Sequence, residues 1–174
     1  FDDVLLLLLG LLESRPDLLQ QVRSRYQWFT VDEYQDVTPL QQALLDVWLG
    51  ERSEICVVGD AQQSIYEFAG AAPELLRDFG RRFPTATIIE LDRSYRCAPE
   101  IAEFANQVAG ATGLRMHSSL PAGEVVLQEH VDAIAELKSM VGEIRQLIDN
   151  GVAPQEIAVL TRIGAQLEPI ERAL

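Results

Sequence analysis

Acidic side chains close a short run of strand-forming residues in the first part of the chain. The stretch WFTVDEYQD spans residues 28–36, and Asp32, Glu33 and Asp36 follow the strand predicted at 28–31. A carboxylate at a strand end can hold Mg²⁺, directly or through water, while its neighbour orients or deprotonates an attacking water. The same Asp-Glu pair is compatible with two solvated loop carboxylates.

A second carboxylate ends another short apolar run. Asp60 closes EICVVGD, and Gln62 and Gln63 come directly after it. Amides beside a strand-end carboxylate can touch a phosphate, which favours a nucleotide site. The alternative is that Asp60 caps the N-terminus of a helix.

Aromatic residues occur in two polar stretches. Tyr66 and Phe68 lie in SIYEFAGA, and Tyr95 and Arg96 lie in DRSYRCAPEI. An aromatic ring can stack on a nucleobase for about 1–3 kcal/mol, and a guanidinium can bind a phosphate through two hydrogen bonds. The alternatives are ordinary packing of the aromatic rings and a surface ion pair for Arg96.

The elements that must position these residues alternate between helices and strands. Hydrophobic spacing, proline and glycine positions and β-branched runs delimit them. Helices are predicted at 2–14, 16–25, 40–49, 73–83, from Pro99, at 132–148 and after Gly164. Strands are predicted at 28–31, 54–60, 85–92, 124–130 and 156–162. This order favours a parallel α/β sheet, whose ligands bind outside the carboxyl ends of its strands.

Hydrophobic patterns also predict which helix faces are buried. The apolar run VLLLLLGLL at 4–12 is far shorter than the roughly 20 residues that cross a membrane, so it predicts a helix buried in the core. Two later helices are each predicted to pack through one face. In the helix that begins at Pro99 this face consists of Ile101, Phe104, Ala105 and Val108. In the helix at 132–148 it consists of Ile134, Leu137, Val141, Ile144 and Ile148.

Composition limits the classes of protein that fit. The 174 residues are 48% hydrophobic, which predicts a folded chain, and carry 27 acidic against 14 basic residues, a net charge of −13. That charge argues against a generally basic nucleic-acid coat but allows a local basic groove. Cys56 and Cys97 are too few for a disulfide framework or a zinc site, which favours a reduced cytosolic setting. His117 and His130 lack ligand-like spacing. The opening at Phe1 suggests a piece of a larger protein.

Taken together, the motifs resemble those of one helicase family. VDEYQD, VVGDAQQSIYEFAGA and LDRSYRCAPEIAEFAN resemble motifs II, III and IV of superfamily 1A DNA helicases, the UvrD/Rep/PcrA group. The residues before motif II resemble that family's lead-in, and GVAPQEIAVLTRIGAQLEPIERAL resembles the opening of its second motor lobe. The likeness spans nearly the whole chain in the family's order.

The resemblance implies a RecA-like, P-loop NTPase-type parallel sheet flanked by helices. Residues 1–112 would form the later part of the first motor lobe, and 113–174 the start of the second. It also implies a bacterial, cytoplasmic, nucleoid-associated enzyme that couples ATP hydrolysis with Mg²⁺ to 3′–5′ movement on single-stranded DNA and to duplex unwinding, as in DNA repair. It implies no membrane partner.

By the same resemblance, Asp32 in this Walker B motif holds magnesium and Glu33 activates the hydrolytic water. Gln63 senses the γ-phosphate, Tyr95 packs against adenine, and Arg96 contacts the γ-phosphate as an arginine finger does.

The resemblance assigns DNA contacts as well. Tyr66 and Phe68 fall where the family stacks single-stranded bases, and Arg162 falls where the second lobe meets the DNA backbone. Gln35 and Asp36 belong to motif II and link the ATP site to its surroundings.

The chain departs from the family pattern in two respects. It lacks the P-loop sequence G-x-x-x-x-G-K-[ST], since its single lysine, Lys138, follows no glycine. The fragment alone is therefore expected not to hydrolyse ATP. The chain also differs from the residues that are usual in the family, both inside the motifs and next to them. These positions are Ala61, Gln62, Glu67, Phe68, Ala69, Ser94 and Gly164.

Two alternative functions remain open. One is a helicase-like module that binds DNA or a partner without hydrolysing ATP. The other is a metal-dependent nuclease, which would need Asp32, Glu33, Asp36 and Asp60 to converge on one or two metal ions.

Overall fold

The structure is a computed structural model that describes residues 2–110 and 115–174. The chain divides into two compact units, Phe1–Gly123 and Glu124–Leu174. Within the described residues the architecture is α/β, with helices and two small parallel sheets. No helix in this described part has the length and apolar character needed to cross a membrane.

The first unit contains most of the regular structure. Its helices are α1 (Asp2–Ser14), α2 (Pro16–Arg25), α3 (Pro39–Leu49), α4 (Glu74–Arg77), α5 (Phe79–Arg82) and α6 (Pro99–Ala109). Its strands are β1 (Phe29–Val31), β2 (Ile55–Val57), β3 (Arg93–Ser94) and β4 (His117–Ser118). Short 3₁₀ turns lie at Tyr34–Asp36 and Glu67–Ala69.

Local sequence explains where the helix after β1 begins. The Thr38 hydroxyl accepts a hydrogen bond from the Gln41 backbone N–H, and the Gln41 side chain accepts one from the Thr38 N–H. This reciprocal capping box satisfies two backbone donors at the start of α3, and Pro39 supplies a preset φ at its first position. The chain can therefore leave β1, make one tight turn and enter α3.

The sheet that carries the acidic residues is a parallel pair. Phe29 pairs with Ile55, Thr30 with Cys56 and Val31 with Val57. Because the two strands are parallel, their carboxyl ends lie at the same edge. The predicted strands at 28–31 and 54–60 are confirmed at Phe29–Val31 and Ile55–Val57.

Helix α1 has the predicted bounds but not the predicted burial. It packs along α3, where Leu44, Leu45 and Leu49 are buried together with Leu12. Leu12 is the buried residue of α1, and Leu7 is 75% exposed. The prediction of a helix buried in the core is wrong, because α1 contacts its neighbours through one side only.

The predicted helix at 73–83 is interrupted at Asp78, which ends α4 and begins α5 with φ −92° and ψ 0°. Aspartate competes for backbone hydrogen bonds at helix ends, which suits it to such a break. The break leaves the Phe79 ring edge-on to Tyr34, with 5.8 Å between the ring centroids.

The strand predicted at 85–92 is not formed. A strand needs a neighbour to satisfy its backbone N–H and C=O groups, and in the described residues the ladder begins at Arg93, which pairs with His117. Ile88, Ile89 and Leu91 are each more than 70% exposed. The segment after α6 supplies β4, while residues 111–114 lie outside the described residues.

Helix α6 buries a different face from the one predicted. Phe104 is 47% and Val108 74% exposed, while Ala102 and Asn106 are buried. The Asn106 side chain explains this orientation, because its Nδ2 donates to the Met116 carbonyl and its Oδ1 accepts from the Met116 N–H, both at 2.9 Å. This pairing holds the polar face of α6 against the segment that leads into β4.

The second unit consists mainly of α7 (Ala133–Asp149) and α8 (Leu167–Ala173). The side chain of Asp132 caps α7 by accepting from the Ala135 N–H at 2.7 Å. Val141, Ile144 and Ile170 form its buried core, so the predicted face of α7 is confirmed at its centre. The inward assignments of Ile134 and Ile148 are wrong, since these residues are 65% and 40% exposed.

Two strands predicted for the second unit do not form. Residues 124–130 and 156–162 contain no ladder in the described structure, and Leu127 and Leu160 are about 90% exposed. As at 85–92, β-branched sequence alone does not make a strand when no partner supplies the hydrogen bonds. The helix predicted after Gly164 is confirmed as a 3₁₀ turn at Gly164–Gln166 followed by α8.

Candidate functional site at the strand ends

The carboxylates of the candidate site leave the β1–β2 sheet at one edge. Asp32 follows Val31 directly. Asp60 comes three residues after Val57, which pairs with Val31 across the sheet. Asp32, Glu33 and Asp60 are all exposed. The predicted placement of acidic groups at the carboxyl ends of neighbouring parallel strands is therefore confirmed.

Glu33 has an unusual backbone conformation. Its φ of 50° and ψ of 44° lie in the left-handed region, where it is the only residue other than glycine among those that the structure describes. Such a conformation costs on the order of 1–3 kcal/mol for a residue with a side chain, and it clusters at functional sites. The Asp32 Oδ1 accepts a hydrogen bond from the Glu33 N–H at 3.0 Å, which helps to hold the turn.

Gln35 joins the two strand ends. Its side chain is 1% exposed, its Nε2 donates to the Glu33 Oε2 at 2.7 Å, and its Oε1 accepts from the Asp60 N–H at 3.0 Å. Sequence reasoning placed Gln35 in the motif but gave it no contact of its own. Two features of the sequence could have indicated this contact. They are the amide side chain two residues after Glu33, and Gly59 directly before Asp60.

Asp60 organises the turn that follows β2. Its Oδ1 accepts from the Gln62 N–H and its Oδ2 accepts from the Gln63 Nε2, both at 3.0 Å. No helix starts at residues 61–64 of this described segment, so the helix-cap alternative for Asp60 is wrong. Gln63 is exposed, and its amide is held against the carboxylate at the end of the second strand.

Tyr34 anchors the motif in the core. Its hydroxyl donates to the Gln42 Oε1, the Gln42 Nε2 donates to the Asp46 Oδ1, and Arg82 pairs with Asp46. Tyr34 is 1% exposed. Burial raises the pKa of Tyr34, Asp46 raises it further, and the Arg82 charge and the Gln42 hydrogen bond oppose the increase. Sequence reasoning missed this chain of contacts, which links residues far apart in the sequence.

We expect Tyr34→Phe to lower the free energy of unfolding by about 1–2 kcal/mol, because it leaves the Gln42 Oε1 without its buried donor. The folded-state pKa lies above the ordinary value of 10.0. This contribution of Tyr34 is therefore complete below about pH 10 and is lost as pH rises through the folded pKa. Denaturant titration near pH 8 and near pH 10.5 should show a smaller difference between wild type and variant at the higher pH.

The half-exposed Tyr26 provides the control for this stability measurement. Tyr26→Phe should leave the free energy of unfolding nearly unchanged. Equal losses for the two variants would contradict a specific contribution of the Tyr34 hydroxyl.

The aromatic residues after β2 are on the surface. Tyr66 is 50% and Phe68 88% exposed, and their ring centroids lie 6.3 Å apart with the planes tilted by 49°. Ordinary core packing therefore does not explain this pair. Glu67 and Ala69, which lie on the same 3₁₀ turn, are also exposed.

Tyr95 and Arg96 lie on a separate turn after β3. Tyr95 is 77% exposed, and the Ser94 Oγ accepts from the backbone N–H groups of Arg96 and Cys97 at 3.3 and 3.1 Å. The ion pairs found in the described residues involve Arg15, Arg81, Arg82 and Arg172, so the surface ion pair considered for Arg96 does not form there.

The remaining predicted DNA contact, Arg162, lies in the second unit. It is exposed, on a segment without strand pairing. Among residues 2–110 and 115–174, no three His, Cys, Asp or Glu side chains come together as a group that could hold a metal ion. The Oδ1 of Asp36 is buried without a hydrogen-bond partner in that described part.

Comparison with known proteins identifies similar sequences. Residues 1–84 match the family described as the UvrD/REP helicase N-terminal domain. The whole chain is 44% identical over 182 aligned residues to the ATP-dependent DNA helicase UvrD2 of Mycobacterium tuberculosis and covers 26% of that protein.

Two further relatives come from other bacteria. The putative ATP-dependent DNA helicase YjcD of Bacillus subtilis is 34% identical over 93% of this chain and 22% of its own length. The ATP-dependent DNA helicase PcrA of Staphylococcus aureus is 31% identical over 98% of this chain and 24% of its own length. The chain thus spans about a quarter of the length of the curated relatives it matches.

Proposed function

Because the chain belongs to the UvrD/Rep helicase family, we propose that it is part of an ATP-dependent DNA helicase that moves along single-stranded DNA. The observation that carries this proposal is the joined strand ends, where the acidic turn at Asp32 and Glu33 is tied through Gln35 to Asp60. In this proposal the β1–β2 pair belongs to a RecA-like sheet. Residues 1–112 contribute to the first motor lobe and residues 113–174 to the second.

The acidic turn suits magnesium and a reacting water. The Asp32 carboxylate is exposed and offers the hard oxygen ligands that Mg²⁺ prefers. The chemistry of this side chain therefore suits a magnesium ion. Bound MgATP would supply the phosphoanhydride and neutralise charge on its phosphates. Glu33, whose backbone is fixed in the left-handed conformation, orients and deprotonates the attacking water. Gln63, held against Asp60, contacts the γ-phosphate.

Tyr95 and Arg96 complete the proposed nucleotide site. The exposed Tyr95 ring is free to stack on adenine, and the Arg96 guanidinium contacts the γ-phosphate as charge develops there. The chain has no P-loop sequence, so in this proposal the phosphate cradle comes from elsewhere in the intact protein. The 174-residue chain by itself would not hydrolyse ATP.

The exposed aromatic turn suits single-stranded DNA. Tyr66 and Phe68 present two tilted rings to solvent, and Arg162 provides a guanidinium for the DNA backbone. Their exposure supports base stacking, which tolerates any base sequence. By family membership the proposed movement is 3′ to 5′ and leads to duplex unwinding, in the bacterial cytoplasm where the chromosome lies.

Phe68→Ala tests the DNA part of this proposal in the intact protein. We expect the variant to lose about 1–3 kcal/mol of single-stranded DNA binding free energy, because one stacked ring is removed. Fluorescence anisotropy with a labelled oligonucleotide measures the affinity. A DNA titration of ATP hydrolysis should give the same shift in half-saturating DNA concentration.

A second exposed phenylalanine provides the control. Phe104 lies on α6 and is 47% exposed. Phe104→Ala should bind the oligonucleotide like wild type. Equal affinities for wild type and Phe68→Ala would contradict the stacking role, and absence of DNA-stimulated hydrolysis in the wild type would contradict the helicase proposal itself.

A further inference from the structure

The contacts of Gln35 form a buried bridge between the acidic turn and the end of β2. Both ends of its amide are used, Nε2 by the Glu33 Oε2 and Oε1 by the Asp60 N–H. Its backbone carbonyl also accepts from the Ser64 Oγ at 3.4 Å. A buried side-chain amide is costly unless its polar atoms are paired, so this pairing holds the Gln35 side chain in one place.

The bridge limits the freedom of an otherwise exposed carboxylate. A glutamate side chain loses about 1.5–2 kcal/mol of rotamer entropy when it is fixed, which is why surface glutamates usually sample several conformations. Glu33 has its backbone set by the turn and its Oε2 held by a buried amide, which leaves Oε1 for a further contact. The carboxylate is therefore oriented before any ligand arrives.

Gly59 supplies the space that the bridge needs. A Cβ at position 59 would lie 2.4 Å from the Gln35 Oε1 and 3.1 Å from the Tyr34 backbone nitrogen. Real Cβ atoms do not approach other atoms as closely as 2.4 Å, so a side chain here would displace the Gln35 amide. The φ of Gly59 is not positive, which makes close approach the reason that glycine is needed.

We infer that Gln35 is a positioning residue for ATP hydrolysis, which holds the Glu33 carboxylate in its reactive orientation and joins it to the loop that carries Gln63. This inference rests on the proposed function, because it gives Gln35 a role through Glu33. The Glu33 carboxylate, which activates the water, and Gln63, which contacts the γ-phosphate, then move as one unit. The reason is that the Gln35 amide binds both strand ends. A purely structural Gln35 would stabilise the fold without acting through Glu33.

A double-mutant cycle in the intact protein separates these two roles. Gln35→Met keeps the length of the side chain and removes both of its hydrogen bonds. We expect it to lower kcat for DNA-stimulated ATP hydrolysis by about 10- to 100-fold, since small misplacements of a reacting group have effects of this size. The KM for ATP should stay within about twofold, because Gln35 makes no contact with nucleotide in this proposal.

The decisive comparison uses Glu33→Gln as the background. If Gln35 acts through Glu33, adding Gln35→Met to Glu33→Gln should change the residual rate of single-turnover phosphate release by less than about twofold. A full additional 10- to 100-fold loss in that background would overturn the inference, as would an unchanged kcat for Gln35→Met alone. Equal rates for wild type and Glu33→Gln would instead overturn the proposed function.

Gly59→Ala tests the same bridge without altering either hydrogen-bonding side chain. It should lower kcat to a similar degree and add little to Gln35→Met. Gly10→Ala is the matched control, since a Cβ there has no atom within 4 Å. Thermal unfolding of each variant identifies any that do not fold. A folded Gly59→Ala protein with the kcat of wild type would overturn the inference even if Gln35→Met were unstable.

Discussion

Glu33→Gln in the intact protein should lower kcat for DNA-stimulated ATP hydrolysis by about 10²- to 10⁴-fold, the usual contribution of a general base. The substitution keeps an oxygen that can accept from the Gln35 Nε2 and removes the negative charge that, in the proposed function, takes a proton from water. Folding and DNA binding should therefore be unchanged. Steady-state hydrolysis with saturating single-stranded DNA, for wild type and variant together, measures the effect.

Glu51→Gln is the matched control, because Glu51 is an exposed glutamate outside the strand-end site. It should hydrolyse ATP at the wild-type rate. If neither wild type nor Glu33→Gln hydrolyses ATP while both bind DNA or a partner, the chain belongs to a binding module that has lost its motor activity. If both hydrolyse ATP equally, another residue activates the water.

The helices of this chain were largely predictable because their hydrogen bonds are local. The predicted bounds of α1 and α2 agree with the structure, and that of α3 differs by a single residue at its start. Caps such as Thr38 and Asp132 act within four residues, so the sequence contains the whole signal. Even the break between α4 and α5 occurs at Asp78, and the preference of aspartate for helix ends is a local property of the sequence.

The strands were less predictable because a strand depends on a distant partner. The runs at 85–92, 124–130 and 156–162 have strand-forming composition, yet the described structure gives them no ladder. Composition expresses a local preference, and only the neighbour's backbone groups convert it into a sheet. The burial of α1 and the face of α6 were mispredicted for the same reason, since each depends on which element packs alongside.

The candidate site was likewise predictable only where its features depend on local sequence. The strand-end positions of Asp32, Glu33 and Asp60 follow from the pattern, because the end of a run of apolar residues is visible in sequence. The bridge through Gln35 was not predicted, because the sequence does not show that this amide meets a backbone N–H 25 positions away. The clearance at Gly59 and the contacts of Tyr34 with Gln42 likewise require the fold.

Arg96→Ala should have an effect on hydrolysis as large as that of Glu33→Gln or larger. A guanidinium that meets the γ-phosphate in the transition state contributes about 10³- to 10⁵-fold to kcat. Arg96 is exposed, follows the short strand β3, and has no ion-pair partner in the described residues, so its charge is available to a ligand. Because Arg96 acts, in the proposed function, on charge that develops during the reaction, ATP binding should persist in the variant. Steady-state kinetics and fluorescent-nucleotide binding measure these two effects.

Arg96→Lys and Arg93→Ala make this prediction specific to the guanidinium at position 96. Lysine keeps the positive charge but offers a compact ammonium in place of the planar fork, so Arg96→Lys should recover only a small part of the lost rate. Arg93 is also exposed, and its place in β3 depends on backbone pairing with His117, so Arg93→Ala should be active. A variant Arg96→Ala that binds ATP weakly yet keeps its kcat would make Arg96 a ground-state binding contact. The transition state would then draw its stabilising charge from another group.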